Sequence, residues 1–476
     1  MQAVFNPGAR YILSFRRKKS MKAQSVMSKI SIIYILYCFI LFSPSQGSAE
    51  DNPNSSEKWT LQRAVKFALE NSPDSLIAKQ RMEAARAVTQ QAHSTWYPVI
   101  RVIAGYMQTD NPMYSFGNIL NQGKFRRDLD FNNPGRTDAL NIGVRVEYRL
   151  FNGGRDQAGI EAARAGEEVS GLELRAVHNQ LAFQVVRAFC SIIQTRKMLQ
   201  ARKSAVRAVE ESIKVARAKY RAGTFLETEV FNLEVQHSQA LENLVKARHS
   251  YRLAQRVFLN ILGLKAGEVQ TELPDGNCGI EVPADLDYSN RPELLALEAA
   301  VRVAEAEYRQ ARGGYYPSVD AFAGYDYDRG FVTGGDGDSW IAGVKVNLDL
   351  FDGKRTSGKV AETMARLLEI RERKRKTALA INLEVEQARL ALKDAIERLG
   401  VTQKMVEQAE KTAMLIRARF REGVLLSSEL IDVENRLTDA KVRHAVAEAE
   451  HWVATANLRR SVGLTQFPEH PPDTTL

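Results

Sequence analysis

The sequence says one phrase twice, and that repetition constrains the fold more than anything else in the chain. Leu150-Phe151-Asn152-Gly153-Gly154 returns 200 positions later as Leu350-Phe351-Asp352-Gly353-Lys354. The register then holds, with Gly223 answering Gly423, Ala240 answering Ala440, Ala247 answering Ala447 and Gly263-Leu264 answering Gly463-Leu464. Upstream the offset is 219, because the first copy carries 19 extra residues: Asn71/Asn290, Pro73/Pro292, Leu76/Leu295, Tyr97-Pro98/Tyr316-Pro317 and Gly105-Tyr106/Gly324-Tyr325. A unit of about 200 residues copied in tandem implies two similar halves built from one plan.

The first 49 residues differ in kind from the rest. A basic lead (Arg10, Arg16, Arg17, Lys18, Lys19, Lys22, Lys29) precedes an apolar stretch from about Ile30 to Phe42 and then Gly47-Ser48-Ala49, the order of a cleavable secretory signal. The apolar run is short for a bilayer span, which sets aside an uncleaved anchor, and Met21 and Met27 are alternative starts. The lead holds seven cations and no acid, so the formal charge of +9 falls to +2 once it is removed. That balance excludes nucleic acid as a partner. Of the three cysteines, Cys38 leaves with the leader, while Cys190 and Cys278 remain and their pairing is open. No cysteine follows the cleavage site, so no lipid attachment is expected.

Each copy changes hydrophobic period partway. After a helix over Trp59 to about Thr95, interrupted near Pro73, Tyr97-Pro98 ends the helical pattern and residues 99–108 read as a strand. Leu140, Ile142, Val144, Val146, Tyr148 and Leu150 then alternate with Asn141, Gly143, Arg145, Glu147 and Arg149. The second copy repeats this over 318–327 and 340–350. Each copy therefore holds one β-hairpin, its connection long in the first (about 109–139) and short in the second (about 328–339). Asp336-Gly337-Asp338 in the short connection lacks calcium-loop spacing and reads as a turn. An apolar face opposite a charged one suits a transmembrane strand and a soluble sheet equally. Four strands cannot close a barrel, and lipid does not tolerate an open edge, so a membrane reading requires several chains, and three would supply twelve strands.

From Asn152 and Asp352, both N-cap residue types, helix runs for about 70 residues, or roughly 100 Å. It stops at Arg221-Ala222-Gly223 and at Arg421-Glu422-Gly423, where glycine can turn left-handed, and a second helix returns to Gly263 or Gly463. The expected organisation is a signal peptide over 1–49 and a first repeat over 50–264, with a β-hairpin at 99–151 and a helical hairpin at 153–263. A linker over 265–290 leads to a second repeat over 291–464, with hairpins at 318–351 and 353–463, and a disordered tail over 465–476. The fold class is mixed and mostly α.

Tyr-Pro before a strand, Leu-Phe-Asn-Gly-Gly after the next, and a glycine-marked helical hairpin, all duplicated behind a leader, resemble the TolC-like outer-membrane efflux protein family. The resemblance covers nearly all of the mature chain. It implies a homotrimer with a 12-stranded β-barrel in outer-membrane lipid, continued by an α-helical barrel across the periplasm. It further implies a passive conduit in tripartite efflux or type I secretion, served by a periplasmic adaptor (membrane fusion) protein and an inner-membrane pump, with no enzymatic activity and no cofactor. By the resemblance, the tip turns at Gly223, Gly423, Arg221 and Arg421 receive the adaptor. Glu429 and Asp432, one helical turn apart, stand where the family has its constriction ring, and Thr228 and Glu229 supply the polar and acidic residues of the first tip. The arginine that partners them in the family falls at Leu425 here, so the family's salt bridge is not expected. Pro98, Pro317, Phe151, Gly153, Phe351 and Gly353 mark the helix–strand junctions.

Plainer readings stand beside these. Glu429 and Asp432 also fit solvated charges of an exposed turn. His444, His451 and Glu448 share a helix face, yet solvated helix positions explain them better than a metal. A periplasmic adaptor would carry one helical hairpin inside split β segments, and a soluble coiled-coil scaffold would leave the strands without purpose. Arg145, Glu147, Arg149, Lys345, Asn347 and Asp349 read as the lining of a water-filled pore.

Overall fold

The computed structural model describes residues 58–272, 280–283 and 285–467. The leader, Cys278 and the tail from 468 lie outside them. In chain order the elements are α1 (Leu61–Asn71), α2 (Pro73–His93), β1 (Val99–Thr109), α3 (Pro112–Asn121), β2 (Thr137–Phe151), α4 (Arg155–Arg221), α5 (Glu227–Ile261), α6 (Pro292–Arg312), β3 (Ser318–Arg329), β4 (Asp336–Asn347), α7 (Arg355–Glu422) and α8 (Ser427–Ser461).

The two hairpins join into one antiparallel sheet of order β1-β2-β3-β4. Its register puts Ile100, Val146, Ala323 and Ala342 in one row, and Val102, Val144, Tyr325 and Trp340 in the next. This apolar face is open: Val102 is 72%, Trp340 77% and Val344 62% exposed. The other face is a ladder of charge, with Arg101 on Glu147 at 2.9 Å, Arg145 on Asp326 at 2.9 Å and Arg149 on Asp320 at 3.3 Å. Gly324 and Gly143 leave the room that ladder needs. A Cβ at Gly324 would sit 2.8 Å from Arg145 Nη1, and one at Gly143 2.6 Å from Asp326 Oδ1.

Where strand becomes helix, the structure corrects the expected start. Asn152 and Asp352 do cap, but across a left-handed turn of two residues, Gly153-Gly154 (φ 71° and 77°) and Gly353-Lys354 (both φ 68°). Asn152 Oδ1 accepts from the Asp156 amide at 3.2 Å, and Asp352 Oδ2 from the Thr356 amide at 2.9 Å. The helices thus begin at Arg155 and Arg355. At Gly153 the turn packs tightly, since a Cβ there would meet Tyr316 Cβ at 2.7 Å; at Gly353 the space is open.

At 67 and 68 residues, α4 and α7 each run for about 100 Å. Side-by-side packing orders the helical wall α5-α4-α8-α7, while α2 and α6 lie along the strand-proximal part. The main core gathers where α1, the middle of α4, the end of α5 and the end of α8 meet, around Val185, Phe189, Ile192, Phe258 and Trp452. Burying the phenylalanines there contributes about 2–3 kcal/mol each. Beside it, Arg291 is almost enclosed at 6% side-chain exposure and donates to Glu293, to Glu384 and to the Ser461 carbonyl; Arg460 also reaches Glu384.

Four further expectations change. The β1–β2 connection contains α3. In place of a turn, Asp336-Gly337-Asp338 begins β4, which ends at Asn347, so Leu348 and Leu350 fall outside it. Part of the linker is folded in, with Val269 and Ile280 buried and Gln270 and Glu272 hydrogen-bonded to the Trp59 backbone. The tail's first residues also pack, Gln466 Nε2 donating to the Ala456 carbonyl at 3.0 Å and Phe467 resting on the core.

Candidate functional site

The helical hairpins turn at two tips, and the sequence explains why they turn there. Gly223 (φ 75°) and Gly423 (φ 88°) take the left-handed conformation that a side chain disfavours, with Arg221 and Arg421 exposed in the last helical turns. Thr228 and Glu429 are exposed on the first turns of the returning helices, and Asp432 is exposed one turn further along α8. Asp432 pairs with Arg436 at 2.8 Å, and no pair joins Glu429 to it.

A small core binds the two tips together. Val230 and Leu430, equivalent in the two copies, bury against Phe420, Leu233 and Ala216, and Phe225 packs on Phe420 with its ring tilted by 59°, 5.5 Å between centroids. Lys219 reaches across from α4 to Gly423, where a Cβ would lie 2.7 Å from its Nζ.

Glu229 crosses the same boundary. Its Oε2 accepts from the Ser427 backbone amide at 2.7 Å, capping α8 from another helix. The carboxylate also faces the positive end of the α8 dipole. Residue 425 in the second tip is Leu, and the Glu229 carboxylate is met there by a backbone amide.

Sequence reasoning missed an ion pair that both copies share. Arg217 donates to Glu234 at 2.7 Å, and Arg417 to Glu434 through two nitrogens, each pair bridging its own hairpin. Both residues recur at the 200-residue offset, so the repeat itself held the signal. The copies differ in burial: Glu234 is 39% exposed, Glu434 only 6%. The Glu434 hydrogen bond raises the Arg417 pKa above its ordinary value and outweighs the opposing effect of burial. A groove of about 670 Å³ opens beside it between α4, α7 and α8, lined by Arg207, Glu211, Glu410, Arg417, Glu434 and Lys441 among others. Its charges are mixed, and Lys441 already pairs with Glu410 at 2.7 Å.

The histidine face resolves otherwise. Glu448 pairs with Lys197, and His444 Nδ1 sits 3.3 Å from the Thr402 hydroxyl. At the junctions, Pro98 and Pro317 each follow a single 3-10 turn and lead into β1 and β3. Phe151 and Phe351 are 47% and 85% exposed.

Comparison with known proteins agrees with this geometry. The outer membrane efflux protein BepC of Brucella suis is 23% identical over 336 residues, covering 66% of this chain and 70% of BepC. The alkaline protease secretion protein AprF of Pseudomonas aeruginosa is 21% identical over 422 residues, covering 84% and 83%. The crystal structure of the outer membrane protein VceC from Vibrio cholerae shares the fold, with a TM-score of 0.71 at 17% identity, covering 85% of this chain and 96% of VceC. The model of the outer membrane efflux protein family matches residues 64–264 and 286–464, most of both repeats. The chain belongs to the outer membrane efflux protein family.

Proposed function

We propose that this outer-membrane efflux protein is one third of a passive conduit. Three copies close their sheets into a 12-stranded barrel in the outer membrane, and their helical walls into one tube reaching through the periplasm. The carrying observation is that sheet and wall are open at both ends in the same way. Among the described residues, β1 and β4 end the sheet with unpaired edges, which lipid does not tolerate. The helices that end the wall carry exposed apolar residues, Val235 (59%), Val245 (63%) and Leu253 (57%) on α5, and Leu379 (67%), Leu390 (58%) and Val401 (62%) on α7. Repetition of one chain satisfies both, edge to edge.

The charged face then lines the pore, and the tips narrow it. Glu429 and Asp432 of three chains place six carboxylates around the axis, a ring that attracts cations. Glu229 steadies it through the α8 cap, with Thr228 exposed beside it. Leu226, Val424 and Leu426, exposed at 71%, 73% and 58%, crown the turns beside Gly223, Gly423, Arg221 and Arg421. They offer apolar seats for a periplasmic adaptor, and an inner-membrane pump supplies the energy. Efflux of small molecules and protein secretion both suit this design, AprF being named for the secretion of a protease.

Replacing Glu429 and Asp432 together with Ala is expected to raise single-channel conductance in planar bilayers and to weaken block by multivalent cations roughly tenfold. Conductance and block unchanged from the parent would remove the gate from these residues.

A further inference from the structure

The β1–β2 connection is far longer than a hairpin requires, and it is anchored. Residues 110–136 leave the sheet at Thr109 and return at Thr137, which face each other in register. Between them, α3 starts on an Asn111 cap whose Oδ1 accepts from the Met113 amide at 3.1 Å, and packs against both β2 and β4. The segment thus passes over the end of the sheet to its far strand.

The side on which it lies follows from strand alternation. Thr137 is an even number of residues from Arg145 and Arg149, so it points to the charged side. Its hydroxyl accepts from Asn118 of α3 at 3.0 Å. The helix is therefore folded over the charged side, at the end of the strands remote from the long helices.

A buried latch holds it there. Gln122, 1% exposed, donates from Nε2 to the Asp138 carbonyl at 2.7 Å and accepts from the Thr333 hydroxyl through Oε1. Asp138 in turn accepts from the Phe331 and Val332 amides at 3.0 and 2.6 Å, fixing the β3–β4 connection beneath. Three glycines of that connection and of the start of β4 form the seat. A Cβ at Gly330 would overlap the Gln122 side chain, one at Gly335 the Gln122 carbonyl, and one at Gly337 the Asn121 carbonyl. Above the latch, Phe116 packs with Phe131 at 4.9 Å and Phe125 at 6.2 Å, while Met113 and Tyr114 are 80% and 60% exposed. A simple hairpin turn would have no use for a buried glutamine or a glycine seat.

We propose that residues 110–136 form a latched lid folded inward over the outer mouth of the pore, with Gln122, Thr333 and Asp138 as its catch. This rests on the barrel reading above. The lid restricts entry from outside independently of the tips, which close the opposite end.

The test reads access from the outer side, where tip closure does not interfere. Lys345 lies on the pore side, opposite Asp320 and deeper in the barrel than the lid. Lys345→Cys is placed in the full chain with Cys278→Ser, Cys190 being buried, and intact cells are treated with a bulky, membrane-impermeant polyethylene-glycol maleimide. Labelling is compared with the lid intact, with Gln122→Ala, and with residues 111–135 replaced by Asn-Gly; a heat-sensitive oligomer on gels verifies assembly. Loosening or removing the lid is expected to speed labelling about tenfold. Equal rates in all three assembled proteins would overturn the lid and leave the channel standing. No labelling in any, with the lid removed, would overturn the pore assignment beneath it.

Discussion

Glu384 shows how a single residue can hold several segments. Burial alone would raise its pKa, but the guanidinium groups of Arg291 and Arg460 outweigh burial and hold the carboxyl below its ordinary value. A lowered folded-state pKa stabilises the fold above the ordinary value near 4.5, and that stability is lost as pH falls through the lowered one. Thermal melting of the parent should therefore weaken on acidification through the carboxylate range, while Glu384→Gln, less stable at neutral pH, should show a flatter acid limb. An acid limb unchanged in the variant would assign the loss to other carboxylates. Little of this was legible in the sequence. Arg291 precedes Pro292, which marks a helix start, and Glu293 is a near neighbour, but its other two partners lie 93 and 170 residues away, where no local pattern reaches. The gate candidates were legible only by likeness to a family; Glu229 meeting the Ser427 amide needed both tips in one frame.

Among the elements, strands and long helices were readable because their periodic runs are long and clean. The alternation over 140–150 and the glycines at 223 and 423 fixed the strand faces and helical turns with little ambiguity. By contrast α3 was hidden, since Asn, Pro and Gly around it read as loop and its stability comes from docking on β2 and β4. The Asn111-Pro112 pair, cap followed by first-turn proline, was the available signal. An element-scale consequence concerns the apolar face. Val344→Arg, placed where the sheet would meet lipid, should cost about 2–4 kcal/mol of membrane folding. The protein should accumulate outside the outer-membrane fraction. Normal fractionation and an unchanged heat-sensitive oligomer would show that this face does not meet lipid.

At the scale of the whole molecule, repetition solves a problem that one chain cannot. The open edges of sheet and wall leave apolar surface on both flanks, and assembly should depend on them together. Val245→Glu combined with Leu390→Glu charges both flanks of the wall, and is expected to convert the detergent-purified oligomer to monomer on size-exclusion chromatography. An intact oligomer would place the contact elsewhere. The long helices also determine where such a chain can change its length during descent. One residue removed from α4 would turn everything beyond it by about 100° and take its buried face off every neighbour. Connections carry no such phase. The 19 residues by which the first copy is longer accordingly fall between Tyr106 and Leu150, around the β1–β2 connection, where a change in length shifts no helical face of the wall. Novelty in this architecture is channelled to the rims of the tube, and its walls are left to drift only by substitution.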